Sequence, residues 1–141
     1  MSYKGYFKPQ NYHKYRGDSS NIFYRSLWER KFMVYLDKNP KVLYWSSEEI
    51  IIPYISPKDN RKHKYYPDFL VTVKNKKGIH TYLCEIKPSN QCKPPKRKNS
   101  KRFLTEQRTY LINQAKWNAA KRVCKQKGWG WKVITEKELN I

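Results

Sequence analysis

The chain has 141 residues, with 31 Lys+Arg against 11 Asp+Glu, a formal net charge of +20 at pH 7. That length suits one compact domain with one core. Hydrophobic residues make up only 38%, yet 5 Trp, 12 Tyr and 5 Phe exclude a disordered basic tail. Apolar runs such as Ile50-Ile51-Ile52 are far short of a membrane span, and Met1 to Tyr6 offers no signal-peptide stretch. Three cysteines with no C-x-x-C pair fit a reducing cytoplasm better than a disulfide framework.

Residues 1–24 are rich in Tyr and Lys, with Pro9, Gly17 and the Asp18-Ser19-Ser20-Asn21 cluster, and read as an irregular basic N-terminal arm. Residues 25–141 are expected to form the domain itself. Ser26-Leu27-Trp28-Glu29 has capping-box spacing, so a helix starts there. Trp28, Phe32, Tyr35 and Leu36 recur at helical intervals until Asn39-Pro40 stops them. Strands are expected at 41–45, 49–55, 65–73 and 79–87, with turns at 57–60 and 74–78 dividing the last three. A basic, Pro-containing loop covers 88–102. A long helix is expected over 105–127, with Leu111, Ala115, Ala119 and Val123 on one face and Gly128 as terminator. A short strand at 131–134 and a capped turn at 135–138 complete a mixed α/β domain.

The bases are bunched. Lys93, Lys96, Arg97, Lys98, Lys101 and Arg102 crowd one stretch without an acid, and seven more bases lie in the acid-free span 107–132. So large a surplus repels itself unless a polyanion is the partner, and nucleic acid is the natural one. A merely solvated basic surface explains the clustering less well. A membrane surface would need an amphipathic helix with a clean apolar face, and none accompanies the charge.

With acids so scarce, their placement is informative. Asp68 sits in Tyr65-Tyr66-Pro67-Asp68-Phe69-Leu70-Val71, and Glu85-Ile86-Lys87 follows within another apolar strand. Side chains alternate along a strand, so Glu85 and Lys87 share a face while Ile86 points the other way. If the two strands pair across the 74–78 turn, Asp68 lies beside Glu85. Oxygen ligands converging on one point suit Mg²⁺, which completes its shell with waters and a substrate phosphate. A lysine two residues on can steady or deprotonate an attacking water. The plainer alternatives are a structural salt bridge from Asp68 and Glu85 to Lys87, and a Glu29 that only completes the capping box.

Pro67-Asp68 with Glu85-Ile86-Lys87 resembles the motif of the PD-(D/E)XK nuclease superfamily, and Glu29 matches the glutamate that members often add from a preceding helix. Further stretches resemble the head-completion nucleases of T-even-type tailed phages, with a TnsA-type endonuclease fold. These include Tyr24–Glu29, Leu36–Pro40, Trp45–Glu48, Ile52–Tyr54, His63–Phe69, Glu85–Pro88, Asn113–Trp117 and Ile134–Glu136. The resemblance implies a single-domain restriction-endonuclease-like α/β fold, its central mixed sheet flanked by helices. It implies a Mg²⁺-dependent endodeoxyribonuclease, Mn²⁺ substituting, that acts on viral DNA ends during head completion before the tail attaches. Asp68 and Glu85 would hold the metal with Glu29 and the Ile86 carbonyl, and Lys87 would position the water. Expected partners are double-stranded or branched DNA and phage head or neck proteins, in the infected host cytoplasm and the virion head–neck region, with no membrane.

The DNA-contact candidates are Arg25, His63, Lys64, Lys93, Lys96, Arg97, Lys98, Lys101 and Arg102. Phosphate contacts carry no sequence information, and no recognition helix or zinc-finger pattern is present, so specificity should be low. His13, His63 and His80 are too scattered for a ββα-metal nuclease, and Cys84, Cys92 and Cys124 lack zinc-ligand spacing. Trp117, Trp129 and Trp131 fit core positions better than base-stacking ones. The rival reading is a non-catalytic, basic DNA-binding head–tail connector with a nuclease-like fold. Intact Asp68, Glu85 and Lys87 favour the enzyme, since a pure binder gains nothing from carboxylates facing phosphates.

Overall fold

Ser26 starts the first helix as its spacing predicts. In the computed structural model, which describes residues 3–97 and 100–140, its hydroxyl accepts the Glu29 N–H at 3.2 Å. Helix α1 (Leu27–Lys38) buries Phe32, Met33 and Leu36 and ends at Asn39, whose extended backbone leads into Pro40.

The central sheet holds β3 (Val42–Ser47), β6 (Phe69–Asn75), β7 (Gly78–Ile86) and β8 (Gly130–Ile134), in that spatial order. The first two pairings are antiparallel, and β7–β8 is parallel. A parallel pair needs a crossover, which α2 (Lys101–Lys127) supplies. A separate hairpin joins β4 (Ile52–Ile55) to β5 (Lys62–Tyr65). One sheet face packs on α1 and α3 (Glu136–Leu139), through residues such as Phe32, Trp45, Phe69 and Leu139. The other packs on α2 and the hairpin, through Leu83, Tyr65, Trp117 and Ala120. The expected mixed sheet flanked by helices is what forms.

Several boundaries differ for physical reasons. The single strand expected over 65–73 is two, β5 and β6, because buried Pro67 has no N–H to donate to a ladder. That break leaves Asp68 at the mouth of the sheet. The strand expected over 49–55 narrows to β4, since Glu48 turns the chain at φ 55°, in the left-handed region. The strand expected over 41–45 runs on to Ser47. Helix α2 starts ahead of 105, because the Ser100 hydroxyl caps it by accepting the Phe103 N–H at 3.3 Å. Lys101 and Arg102 therefore belong to its first turn and not to the basic loop. Gly128, at φ 73°, closes α2 with its N–H on the Cys124 carbonyl, as expected.

The first 24 residues, expected to be irregular, carry two short paired strands, β1 (Gly5–Tyr6) and β2 (Phe23–Tyr24), and a 3-10 turn at Tyr12–Lys14. Phe7, Tyr15 and Ile22 are buried in the same core as α1. The Lys14 amine explains much of the attachment. It donates to the carbonyls of Leu36, Asp37 and Asn39 at 2.8, 3.0 and 2.9 Å, capping the C-terminal end of α1.

Candidate active site

The β6–β7 register pairs Phe69 with Cys84, so Asp68, just outside β6, comes to lie beside Glu85. Asp68 Oδ2 accepts the Ile86 N–H at 2.8 Å, which ties the carboxylate to the opposite strand. Glu85 is 8% exposed and shares the α2-facing side with Leu83. Its Oε2 accepts the Trp117 indole N–H at 3.3 Å and the hydroxyl of Tyr65. Two neutral donors thus fix a buried carboxylate in one orientation.

Burial, and then the charge of adjacent Glu85, push the Asp68 carboxyl well above the usual carboxylate range, with the Ile86 N–H opposing. Glu29, in the first turn of α1, is also raised, by burial first and then by Glu48, against the Arg25 N–H that its Oε2 accepts at 2.6 Å. That acceptance differs from a full capping box, because the N–H held is Arg25's and not that of Ser26. Glu48 donates its own N–H to the Asp68 carbonyl at 3.1 Å, and its carboxylate takes both arms of the Arg25 guanidinium at 2.9 and 3.2 Å. Glu29, Glu48, Asp68 and Glu85 therefore crowd one end of the sheet.

The salt-bridge alternative is not what the side chains form. Among the described residues the ion pairs are Arg25–Glu48, His63–Asp59 and Arg102–Glu106. Lys87 is half-buried, and its N–H continues the parallel ladder to the Ile134 carbonyl at 3.0 Å. It therefore keeps the period that puts it on the Glu85 face. Among the described residues, no three His, Cys, Asp or Glu side chains form a ready-made metal cage. A site of two carboxylates completed by water and phosphate is the mode Mg²⁺ uses instead. Two adjacent carboxylates, without an ion-paired base among the described residues and with one of them pushed upward by burial and by its neighbour's charge, fit a divalent cation that offsets both charges.

A family model described as the TnsA-like endonuclease N-terminal domain matches residues 39–136. The chain belongs to this TnsA-like endonuclease family. It is also similar to a head completion nuclease of Enterobacteria phage T4, at 37% identity over 145 residues, covering 99% of this chain and 95% of that protein. Asp68, Glu85 and Lys87 fall inside the matched span, whereas Arg25 and Glu29 precede it.

Within this TnsA-like domain the remaining DNA-contact candidates lie on β5 and on the segment between β7 and α2. His63 and Lys64 are exposed on β5, where His63 pairs with Asp59 at 2.9 Å. Lys93, Lys96 and Arg97 are exposed on the segment between β7 and α2, and Lys98 lies outside the described residues. Ser89 anchors the start of that segment by donating its N–H to Glu136 at 3.0 Å. Trp117 is core, as its spacing suggests, but its N–H also serves Glu85. Cys84 and Cys124 are buried and free, and burial pushes the Cys84 thiol up to about 12, no zinc thiolate.

Sequence reasoning missed Tyr65 and Lys116. Lys116 is half-buried on α2, its amine 5.7 Å from the Tyr65 ring centroid and 5.9 Å from that of Tyr54. Burial lowers its pKa, with Glu85 and Asp68 pulling it back up and Lys87 lowering it further. The one signal was position: Lys116 precedes Trp117 within the acid-free stretch of α2.

Proposed function

We propose that the chain is a divalent-metal-dependent DNA endonuclease of low sequence specificity that acts on viral DNA ends during phage head completion. The observation that carries this reading is the adjacent Asp68–Glu85 pair, Glu85 buried and Asp68 half-buried, left without an ion-paired base among the described residues in a protein of net charge +20. The TnsA-like endonuclease match and the similarity to a head completion nuclease support the reaction class and the setting.

Asp68 and Glu85 would hold Mg²⁺, with the Ile86 carbonyl and Glu29 as further donors, Glu29 directly or through water. The ion, when bound, supplies a polarised phosphate and a more acidic water. Tyr65 and Trp117 keep Glu85 aimed, which removes the need to reorganise it during the reaction. Lys87 would position the attacking water for in-line attack on the phosphodiester. Lys116, held over Tyr65 on the opposite wall, offers its charge to the phosphate being cut. His63, Lys64, Lys93, Lys96, Arg97, Lys98, Lys101 and Arg102 contact neighbouring phosphates and set affinity and register, while Arg25, gripped by Glu48, lines the wall beside them.

A supercoiled-plasmid assay tests the core of the reading. Mg²⁺ or Mn²⁺ should support nicking, EDTA should abolish it, and Ca²⁺ should allow binding with little cleavage, since it accepts oxygen ligands but activates water poorly. Undiminished cleavage in EDTA would end the proposal. A second test concerns the basic segment. Replacing Lys93, Lys96 and Arg97 together with Ala should lower the slope of log affinity against log salt on duplex by roughly 2–3, because each phosphate contact contributes about 0.9. An unchanged slope would move the DNA-binding surface to the exposed bases of α2.

A further inference from the structure

We propose that the cleft beside the carboxylates is a pocket for one unpaired nucleobase, so that the preferred substrate is DNA with an overhang, flap or frayed end at the cut. This rests on the nuclease reading above and adds to it the class of DNA. The cleft encloses about 430 Å³ between β1, β2 and the end of β3, with Tyr6, Phe23, Asn21, Arg25, Glu48 and Glu49 in its walls. That volume falls in the roughly 300–1,000 Å³ range of small-molecule sites.

Its lining suits a base better than a phosphate. Tyr6 is 65% exposed, yet its ring is braced edge-on against Phe23, with centroids 5.3 Å apart and planes at 63°. A fixed, solvent-facing ring is a stacking platform for any base. The Arg25 guanidinium, 5.3 Å from the Phe23 centroid and gripped by Glu48, is a second flat surface held in place. Asn21 brings an amide, and Glu48 and Glu49 bring acceptors that match exocyclic amino groups. The same two carboxylates repel a phosphate, so the neutral part of the nucleotide is what this cleft admits.

The cleft adjoins the reaction centre through two shared residues. The Arg25 backbone N–H is held by Glu29, and the Glu48 N–H donates to the Asp68 carbonyl. Glu48 makes both contacts from a left-handed conformation, φ 55°, an uncommon one for a residue other than glycine. A base seated here therefore belongs to a nucleotide close to the phosphate at Asp68 and Glu85. A base inside duplex DNA must be unstacked before it can enter, while an unpaired base enters with the least loss.

The experiment uses the full chain carrying Asp68→Asn, to block cleavage, and hairpin DNA with 2-aminopurine at the first unpaired nucleotide. Binding should quench the overhang probe at least twofold, a blunt hairpin labelled within the duplex should show no such change, and Tyr6→Ala should remove the quench while Tyr6→Phe keeps it. In the otherwise unmodified chain, Tyr6→Ala should lower the overhang-to-blunt ratio of kcat/KM about tenfold, the effect of losing one base stack. Circular dichroism should show that the exposed Tyr6 position tolerates both changes. An overhang probe that is not quenched, or is quenched equally by Tyr6→Ala, overturns the pocket and leaves the nuclease reading standing. Absence of cleavage on every DNA overturns the nuclease reading, and the quench then still decides the pocket.

Discussion

Asp68→Asn and Glu85→Gln are each expected to lower kcat for strand cleavage roughly 10³-fold or more, while DNA affinity stays equal or rises. The stabilisation that a bound divalent ion gives a phosphoryl transition state is several kcal/mol, and about 1.4 kcal/mol is a factor of ten in rate. In metal-free buffer, removing a negative charge from a site that receives phosphates cannot weaken their attraction. A gel-shift titration run beside the cleavage assay checks both halves. A variant that cuts at the original rate would remove its carboxylate from the site.

The same Asp68 change carries a stability signature of opposite sign. The Asp68 carboxyl is held well above its ordinary range by burial and by Glu85. A raised folded-state pKa means that stability is full below the unfolded value and is lost as pH rises through the folded one. Ionising Asp68 without metal therefore costs the folded state stability. Asparagine keeps an oxygen for the Ile86 N–H and gains an amide donor for Glu85, so Asp68→Asn should melt higher than the unmodified chain in EDTA. Mg²⁺ should raise the melting temperature of the unmodified chain and not that of the variant. A lower melting temperature for Asp68→Asn in EDTA would mean that the carboxylate serves the fold.

The parts of this site that the sequence made legible are those set by short-range rules. Period-two alternation places Glu85 and Lys87 on one face, and the tight 74–78 turn fixes the β6–β7 register that brings Asp68 across. The Ser26 cap is equally local. Tyr65 and Trp117 reach Glu85 over separations of 20 and 32 residues, and no local pattern encodes such a meeting. Lys116 looked like one more base in a basic helix, because its value comes from the face that α2 turns to the sheet. Residues 1–24 misled for a related reason. A Tyr- and Lys-rich segment with no helical or strand period reads as loop, yet aromatic rings and a lysine stem bury well without regular structure.

Lys14→Met should cost about 3–5 kcal/mol, the other large effect expected of a single change, and it falls far from the chemistry. Lys14 is 8% exposed, and its amine has three carbonyl partners at the end of α1, where the helix dipole is negative. Beside it, the Asp37 carboxylate accepts the N–H groups of Gln10 and Asn11 at 2.9 and 3.0 Å. Methionine fills the stem but leaves the carbonyls of Leu36, Asp37 and Asn39 without their donor and the Asp37 charge without its neighbour, and breaking such a buried arrangement typically costs that much. Burial lowers the Lys14 pKa, with Asp37 opposing. Burying this amine thus carries its own desolvation penalty, and the truncation will read larger than the net worth of the contact. In a domain whose whole stability is about 5–15 kcal/mol, the melting temperature should fall by roughly 10–20 °C. Well below that melting point, kcat on plasmid should be near that of the unmodified chain, because α1 still presents Glu29 from its other end. A shift of only a few degrees would show that water replaces the amine and that the N-terminal segment is held by Phe7, Tyr15 and Ile22 alone.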